Sequence, residues 1–155
     1  MHCGFLLKEN LYMPNAQIPI AVFILLKKQD KILLLYRKNT SFNSDKWSLP
    51  AGRVESGESA TNAMVREAKE EIDIDINLED LSSPLVMHNH DDQGERMHLF
   101  FVCEKWNGEP KNNEPHKCGE IKWHKVSELP DNIISQVETG IRAKLNNKSY
   151  IEYGF

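Results

Sequence analysis

Cysteine is scarce in this sequence. Cys3, Cys103 and Cys118 are an odd, scattered set without a CxxC pair, which excludes a disulfide framework and fits reduced thiols in the cytoplasm. Long apolar runs are also missing. The longest, Ile20 to Leu26, falls far short of the roughly 20 residues that a membrane-spanning helix needs. Met1 to Asn10 carries Lys8 and Glu9 and lacks a signal-peptide pattern. There is no excess of positive charge: the formal net charge is -4, which argues against broad electrostatic binding of nucleic acid. A nucleotide substrate stays compatible with that balance, because a bound cation reverses the sign of a local site. Repeats, low-complexity tracts and linkers are absent, so 155 residues read as one domain, 1–155. No Gly-x-Ser-x-Gly or Walker loop occurs.

What is present is a mixed pattern of strands and helices. Ile18 to Leu26 and Lys31 to Arg37 read as two strands joined at Gln29-Asp30. Trp47 to Leu49 is a short extended piece before Pro50. Ser59 to Ile72 is the strongest helix, with Ser59 as its N-cap. Ile74, Ile76 and Leu78 alternate with polar residues and suggest an edge strand or a loop. Leu85 to His88, Met97 to Cys103 and Glu120 to Val126 read as strands. A last helix is expected from Asp131 or Asn132, with Ile133, Val137, Ile141 and Leu145 on its apolar face and Gly140 weakening it. Tyr150 to Phe155 is expected to pack on the body as a tail. This order of elements points to an α/β or α+β domain with a mixed sheet.

The chemistry lies in residues 52–74, GRVESGESATNAMVREAKEEIDI. Glu67, Glu70 and Glu71 fall at i, i+3 and i+4 and share one helix face. Met64, Val65, Ala68 and Ile72 lie roughly opposite and can anchor the helix in a core. Ala60 and Ala63 leave room beside the acids. A cation would relieve the repulsion among three carboxylates, and clustered hard oxygen donors suit Mg²⁺ or Mn²⁺. Taken without its spacing, the same run would be an ordinary solvated acidic face, with Arg66 and Lys69 as surface partners.

The spacing resembles the Nudix box, G-x5-E-x7-R-E-U-x-E-E-x-G-U with U aliphatic. Gly52, Glu58, Arg66, Glu67, Glu70 and Glu71 occupy its six most specific positions. A chance match at average residue frequencies is about 10⁻⁷ per starting point. Ala68 and Ile74 stand at aliphatic positions. Asp73 replaces the glycine that normally follows the helix end, where a left-handed conformation is wanted. Asp tolerates that region at a cost of about 1 kcal/mol.

The resemblance implies a Nudix-type α/β/α sandwich with a mixed sheet, the box forming a loop–helix–loop. It implies Mg²⁺, with Mn²⁺ as a substitute, held by Glu67, Glu70, Glu71 and the backbone carbonyl of Ala51. Glu67 is also a candidate general base, and Arg66 and Glu58 hold the glutamates in place. The implied activity is metal-dependent cleavage of a phosphoanhydride bond in a small nucleotide.

Within the family, the chain is similar to the MutT-like branch, which converts nucleoside triphosphates to monophosphate and pyrophosphate, oxidised purines such as 8-oxo-dGTP included. Trp106-Asn107-Gly108-Glu109-Pro110 followed by Glu114 is similar to a segment whose last glutamate is an added metal ligand; otherwise Glu114 is a surface residue. Arg37 matches a nucleotide-contacting arginine, or else ends a strand in solvent. Gly52 belongs to the expected substrate contacts. Asn132 resembles a purine-reading asparagine, or else caps the last helix. ADP-ribose and diadenosine-polyphosphate branches are less favoured, because His90, Asp91 and Asp92 stand where those branches have proline or tyrosine. A nucleotide sugar, a dinucleotide or a capped RNA end is the rival substrate, and a non-catalytic nucleotide sensor the rival class. The scattered His88, His90, His98, His116, Cys118 and His124 fit no standard zinc spacing. Oligomeric state is open, a homodimer included.

Overall fold

The computed structural model describes residues 17–155; Cys3 and the N-terminal segment lie outside the described residues. Eight strands and two helices are present among them: β1 (Ile20–Lys28), β2 (Lys31–Arg37), β3 (Trp47–Ser48), β4 (Ala51–Arg53), α1 (Ala60–Ile72), β5 (Leu85–Asp91), β6 (Gly94–Cys103), β7 (Cys118–Lys125), α2 (Ser135–Leu145) and β8 (Tyr150–Tyr153). The strand order is β3-β2-β1-β6-β5-β8, with β4 on β1 and β7 on β2. β1 runs parallel to β6, and β5 to β8. The other pairings are antiparallel, so the sheet is mixed.

The layers follow from the alternation of side chains along β1. Val22, Ile24 and Leu26 pack with Met64, Ala68 and Ile72 of α1 in one buried cluster. Phe23 and Leu25 pack with Val137 and Ile141 of α2 in the other. A strand buried on both faces needs the unbroken apolar run that β1 carries. The outcome is an α/β/α sandwich. Each fully buried leucine or isoleucine contributes roughly 1.5–3 kcal/mol.

Local differences from the sequence reading have physical causes. α2 starts at Ser135, later than expected. The chain before it pairs with β3: Trp47 N donates to Asn132 O at 3.1 Å and Ile134 N to Trp47 O at 3.0 Å, which commits 132–134 to an extended form. Of the two readings of Ile74–Leu78, edge strand or loop, the loop is observed. Ile74 and Ile76 turn inward, Asp75 makes a single bridge to Asn107, and a 3-10 turn follows at Leu78–Asp80. Ala51–Arg53 and the C-terminal tail both form strands. β5 and β6 extend to a tight hairpin closed by Asp91 and Gly94.

Gly140 has a packing role. A Cβ there would lie 2.2 Å from Phe100 Cζ, so glycine lets α2 press onto the sheet. Its helix penalty of about 1 kcal/mol is offset by that contact.

Candidate active site

β4 lies antiparallel on β1, with Gly52 opposite Val22, and delivers the chain to α1. Ser59 caps the helix, its Oγ accepting from Asn62 N at 3.2 Å. Asp73 closes the other end at φ 53° and ψ 40°, the left-handed region, and its N–H donates to Lys69 O. Lys111 and Lys69 at its side chain hold the Asp73 carboxyl down at about 2.

Arg66 organises the acidic end. Its Nε and Nη2 donate to both oxygens of Glu58 at 2.9 and 3.0 Å, and Nη1 donates to Glu67 Oε1 at 2.8 Å. Nη2 also donates to Arg53 O at 3.0 Å. Glu70, more exposed, lies 3.4 Å from Nη1. Hydrogen bonding by Arg66 lowers the Glu58 pKa. Burial raises that of Glu67 despite the guanidinium, with Glu70 and Glu114 adding to the rise. The Glu67 carboxylate packs over Gly52, where a Cβ would lie 1.8 Å from Glu67 Cδ. With Glu67 in this position, only glycine fits there.

Glu71 turns toward β4, and its Oε2 accepts from Ala51 N at 2.8 Å. Burial pushes its carboxyl up to about 8, overcoming that bond, and the charges of Glu67 and Glu114 push the same way. Glu114 therefore stands near the helix acids, although 43 residues separate it from Glu71 in sequence. Its position comes from a cap on α1. Lys111 N and Asn113 N donate to Ile72 O and Glu71 O at 3.1 and 3.0 Å, and Asn113 Nδ2 donates to Glu70 O at 2.9 Å. These bonds satisfy carbonyls that the last turn leaves open. Asn112 Oδ1 then accepts from Glu114 N at 3.2 Å. Asn112 and Asn113 escaped the sequence reading; the Asn-Asn pair directly before the acid was their signal.

As these side chains stand, no group of three His, Cys, Asp or Glu among the described residues is drawn together as an ion's ligand set. Glu67 is bonded to Arg66 and Glu71 to the β4 backbone. The donor set still fits a hard divalent cation, since Glu67 and Glu71 are hard oxygen donors whose charges repel one another and that of Glu114.

Arg37 ends β2 beside a register shift. Its Nη2 donates to Phe42 O at 3.2 Å, while its buried Nε has no partner. It lines two cavities. One, of ≈ 330 Å³, runs from Ala51, Gly52 and Arg53 past Phe23, Phe42 and Ile134 to Asp91, Arg96, His98 and Gln136. The other, of ≈ 210 Å³, holds Glu71 and Glu114. In the larger cavity Asp91 is fixed by Gln93 N at 2.8 Å, Arg96 at 3.0 Å and Asn89 at 3.1 Å. His98 is held down at about 4 by burial and by Arg96; it is neutral at pH 7, and its buried Nδ1 has no partner. Asn132 does not cap the last helix. Ile134 occupies the cap position of α2, and Asn132 Nδ2 donates to Asp45 O at 3.2 Å, tying down the loop that carries Phe42. Ile134, Gln136 and Val137 are the residues of that region that line the cavity.

A box of acids on a capped helix, set in an α/β/α sandwich, defines a class, and comparison with known proteins agrees. The NUDIX domain family model matches residues 17–145. The chain belongs to the Nudix hydrolase family. It is 33% identical over 123 residues to an ADP-ribose pyrophosphatase of Methanocaldococcus jannaschii, covering 79% of this chain and 69% of that protein. It is 37% identical over 110 residues to a candidate 8-oxo-dGTP diphosphatase of Bacillus subtilis, covering 71% of this chain and 68% of the other. The crystal structure of a MutT NUDIX hydrolase from Burkholderia pseudomallei superposes with a TM-score of 0.74 at 22% identity, covering 82% of this chain and 98% of that one. That likeness concerns the fold. No helix among the described residues is long and apolar enough to cross a membrane.

Proposed function

We propose that residues 1–155 act as one Mg²⁺-dependent catalytic domain that hydrolyses a nucleoside triphosphate to the monophosphate and pyrophosphate, oxidised purines such as 8-oxo-dGTP included. The observation that carries this reading is the pair of cavities meeting at Arg37. The ≈ 330 Å³ cavity has the size and mixed lining of a small-ligand site, and it leads to the acids at Ala51 and Gly52. The nucleoside occupies this cavity, with Gln136, Arg96 and neutral His98 facing the base. The unpartnered Arg37 Nε donates to a phosphate oxygen.

Glu67, Glu70, Glu71, Glu114 and the Ala51 carbonyl would hold Mg²⁺, or Mn²⁺ in its place. A bound divalent cation neutralises phosphate oxygens and acidifies water. Arg66 and Glu58 position Glu67. The raised pKa of Glu67 suits it to accept a proton from the attacking water. Glu71, protonated in large part near pH 7 by its environment, must lose that proton when the cation binds. The cytoplasm, where such substrates occur, fits the free, buried Cys103 and Cys118.

One observation favours a second reading. The Methanocaldococcus relative is named for ADP-ribose, although His90 of this chain stands where that branch has proline. ADP-ribose, or another nucleoside diphosphate linked to a further group, is the alternative substrate. Product release is measured on a panel of triphosphates, ADP-ribose, nucleotide sugars and dinucleotides with Mg²⁺. Activity on triphosphates that Glu70→Gln lowers about 10³-fold is the expected result. Activity only on the other pyrophosphates would transfer the reading to the second class. Ligand binding without any turnover would make the chain a sensor.

A further inference from the structure

The ≈ 210 Å³ cavity is lined by basic as well as acidic side chains: Arg37 and Lys117 beside Glu71 and Glu114, with Thr40. Lys117 is fixed there by its backbone. Its N–H donates to Glu114 O at 2.9 Å, and its carbonyl accepts from Lys38 N at 2.8 Å, so the residue is tied both to the fourth acid and to the end of β2. Its ammonium lies 3.2 Å from Glu114 Oε1, and the side chain is 56% exposed. The ammonium is thus held at the cavity with capacity for further bonds, since Nζ carries three donors. Two basic side chains and two carboxyl groups line the cavity. A divalent cation on the acids would leave it positive, which suits an anionic guest.

We propose that this cavity receives the terminal phosphate of the substrate and that Lys117 determines specificity for a compact anionic tail. The proposal deepens the triphosphate reading and rests on it. With the nucleoside in the larger cavity, Arg37 sits at the junction, and the remaining phosphates run toward Lys117. A terminal phosphate gives the ammonium a charge-assisted bond. A neutral pentose in the same place offers only hydroxyls to a strongly hydrated ammonium. Lys117 thereby favours triphosphates over ADP-ribose without taking part in bond cleavage.

The test uses the full chain with Lys117→Met and Lys117→Arg. Steady-state kinetics with dGTP and with ADP-ribose are paired with calorimetric binding of an α,β-imido triphosphate and of the nucleoside monophosphate. Lys117→Met should raise KM for dGTP and Kd for the imido analogue about tenfold, with kcat nearly kept. Monophosphate affinity and the ADP-ribose kcat/KM should stay within about twofold, and Lys117→Arg should restore most of the loss. Equal losses on both substrates, or an unchanged Kd for the analogue, would overturn the proposal. Absence of turnover on every substrate would instead sink the parent reading, and the analogue-to-monophosphate affinity ratio would still decide the cavity.

Discussion

At the acidic end of the site, one guanidinium gathers Glu58, Glu67 and the Arg53 carbonyl, all within residues 53–67. The adjoining cavity draws Phe23 from β1, Phe42 from a loop, Arg96 and His98 from β6 and Gln136 from α2. The first region is a local structure: a turn, a cap and one helix face set its geometry. The second exists only once β1 has paired with β6 and α2 has covered the sheet. Under the proposed function, reaction chemistry and recognition are built by separate parts of the chain, and substitutions in one should leave the other largely intact.

Breaking the local region gives the largest effects. Gly52→Ala places a methyl where Glu67 Cδ now lies, so the carboxylate must move. A displacement on the order of 1 Å should lower kcat about 10²-fold, measured with the best triphosphate, while Tm changes by only a few degrees. Arg66→Lys keeps the charge but loses the two-pronged grip on Glu58; kcat should fall about tenfold, with nucleoside monophosphate affinity unchanged in calorimetry. An equal fall in monophosphate affinity would contradict the separation of the two regions.

The distributed region should respond in the opposite sense. Gln136→Ala should change the kcat/KM ratio between purine and pyrimidine triphosphates about three- to tenfold, with kcat for the better substrate nearly constant. A uniform loss across bases would remove Gln136 from recognition.

The smallest effect is a pH dependence of the metal-free protein. Glu71 has a pKa of about 8 in the folded chain against 4.5 for the ordinary carboxyl. Between those values the folded state binds more protons than the unfolded one, so stability falls as pH rises. Its contribution is complete below about pH 4.5 and is lost as pH passes through about 8. Thermal unfolding in a chelator should show Tm dropping over this window, and Glu71→Gln should flatten the drop by a few degrees.

The same division governs what the sequence disclosed. Ser59 as cap, the extent of α1 and the left-handed Asp73 were all legible, because each depends on neighbours within a few residues. The continuous apolar run of β1 declared a strand. The start of α2 was misjudged because backbone pairing of 132–134 with Trp47 joins segments distant in sequence. The cap reading of Asn132 failed for the same reason: its partner, the Asp45 carbonyl, is visible only in three dimensions. Gln136, Arg96 and His98 belong to no motif, and nothing short of the sheet order brings them to one cavity. Glu114 was flagged by the resemblance of its segment, but the asparagines that seat it were not.

The cap on α1 has a mechanical corollary. Asn113 grips the carbonyls of both Glu70 and Glu71 while its successor in the chain is Glu114. Helix terminus and distant acid are thus latched into one rigid piece. Loosening of that latch would part Glu114 from the end of α1, while Arg66 would still hold Glu67.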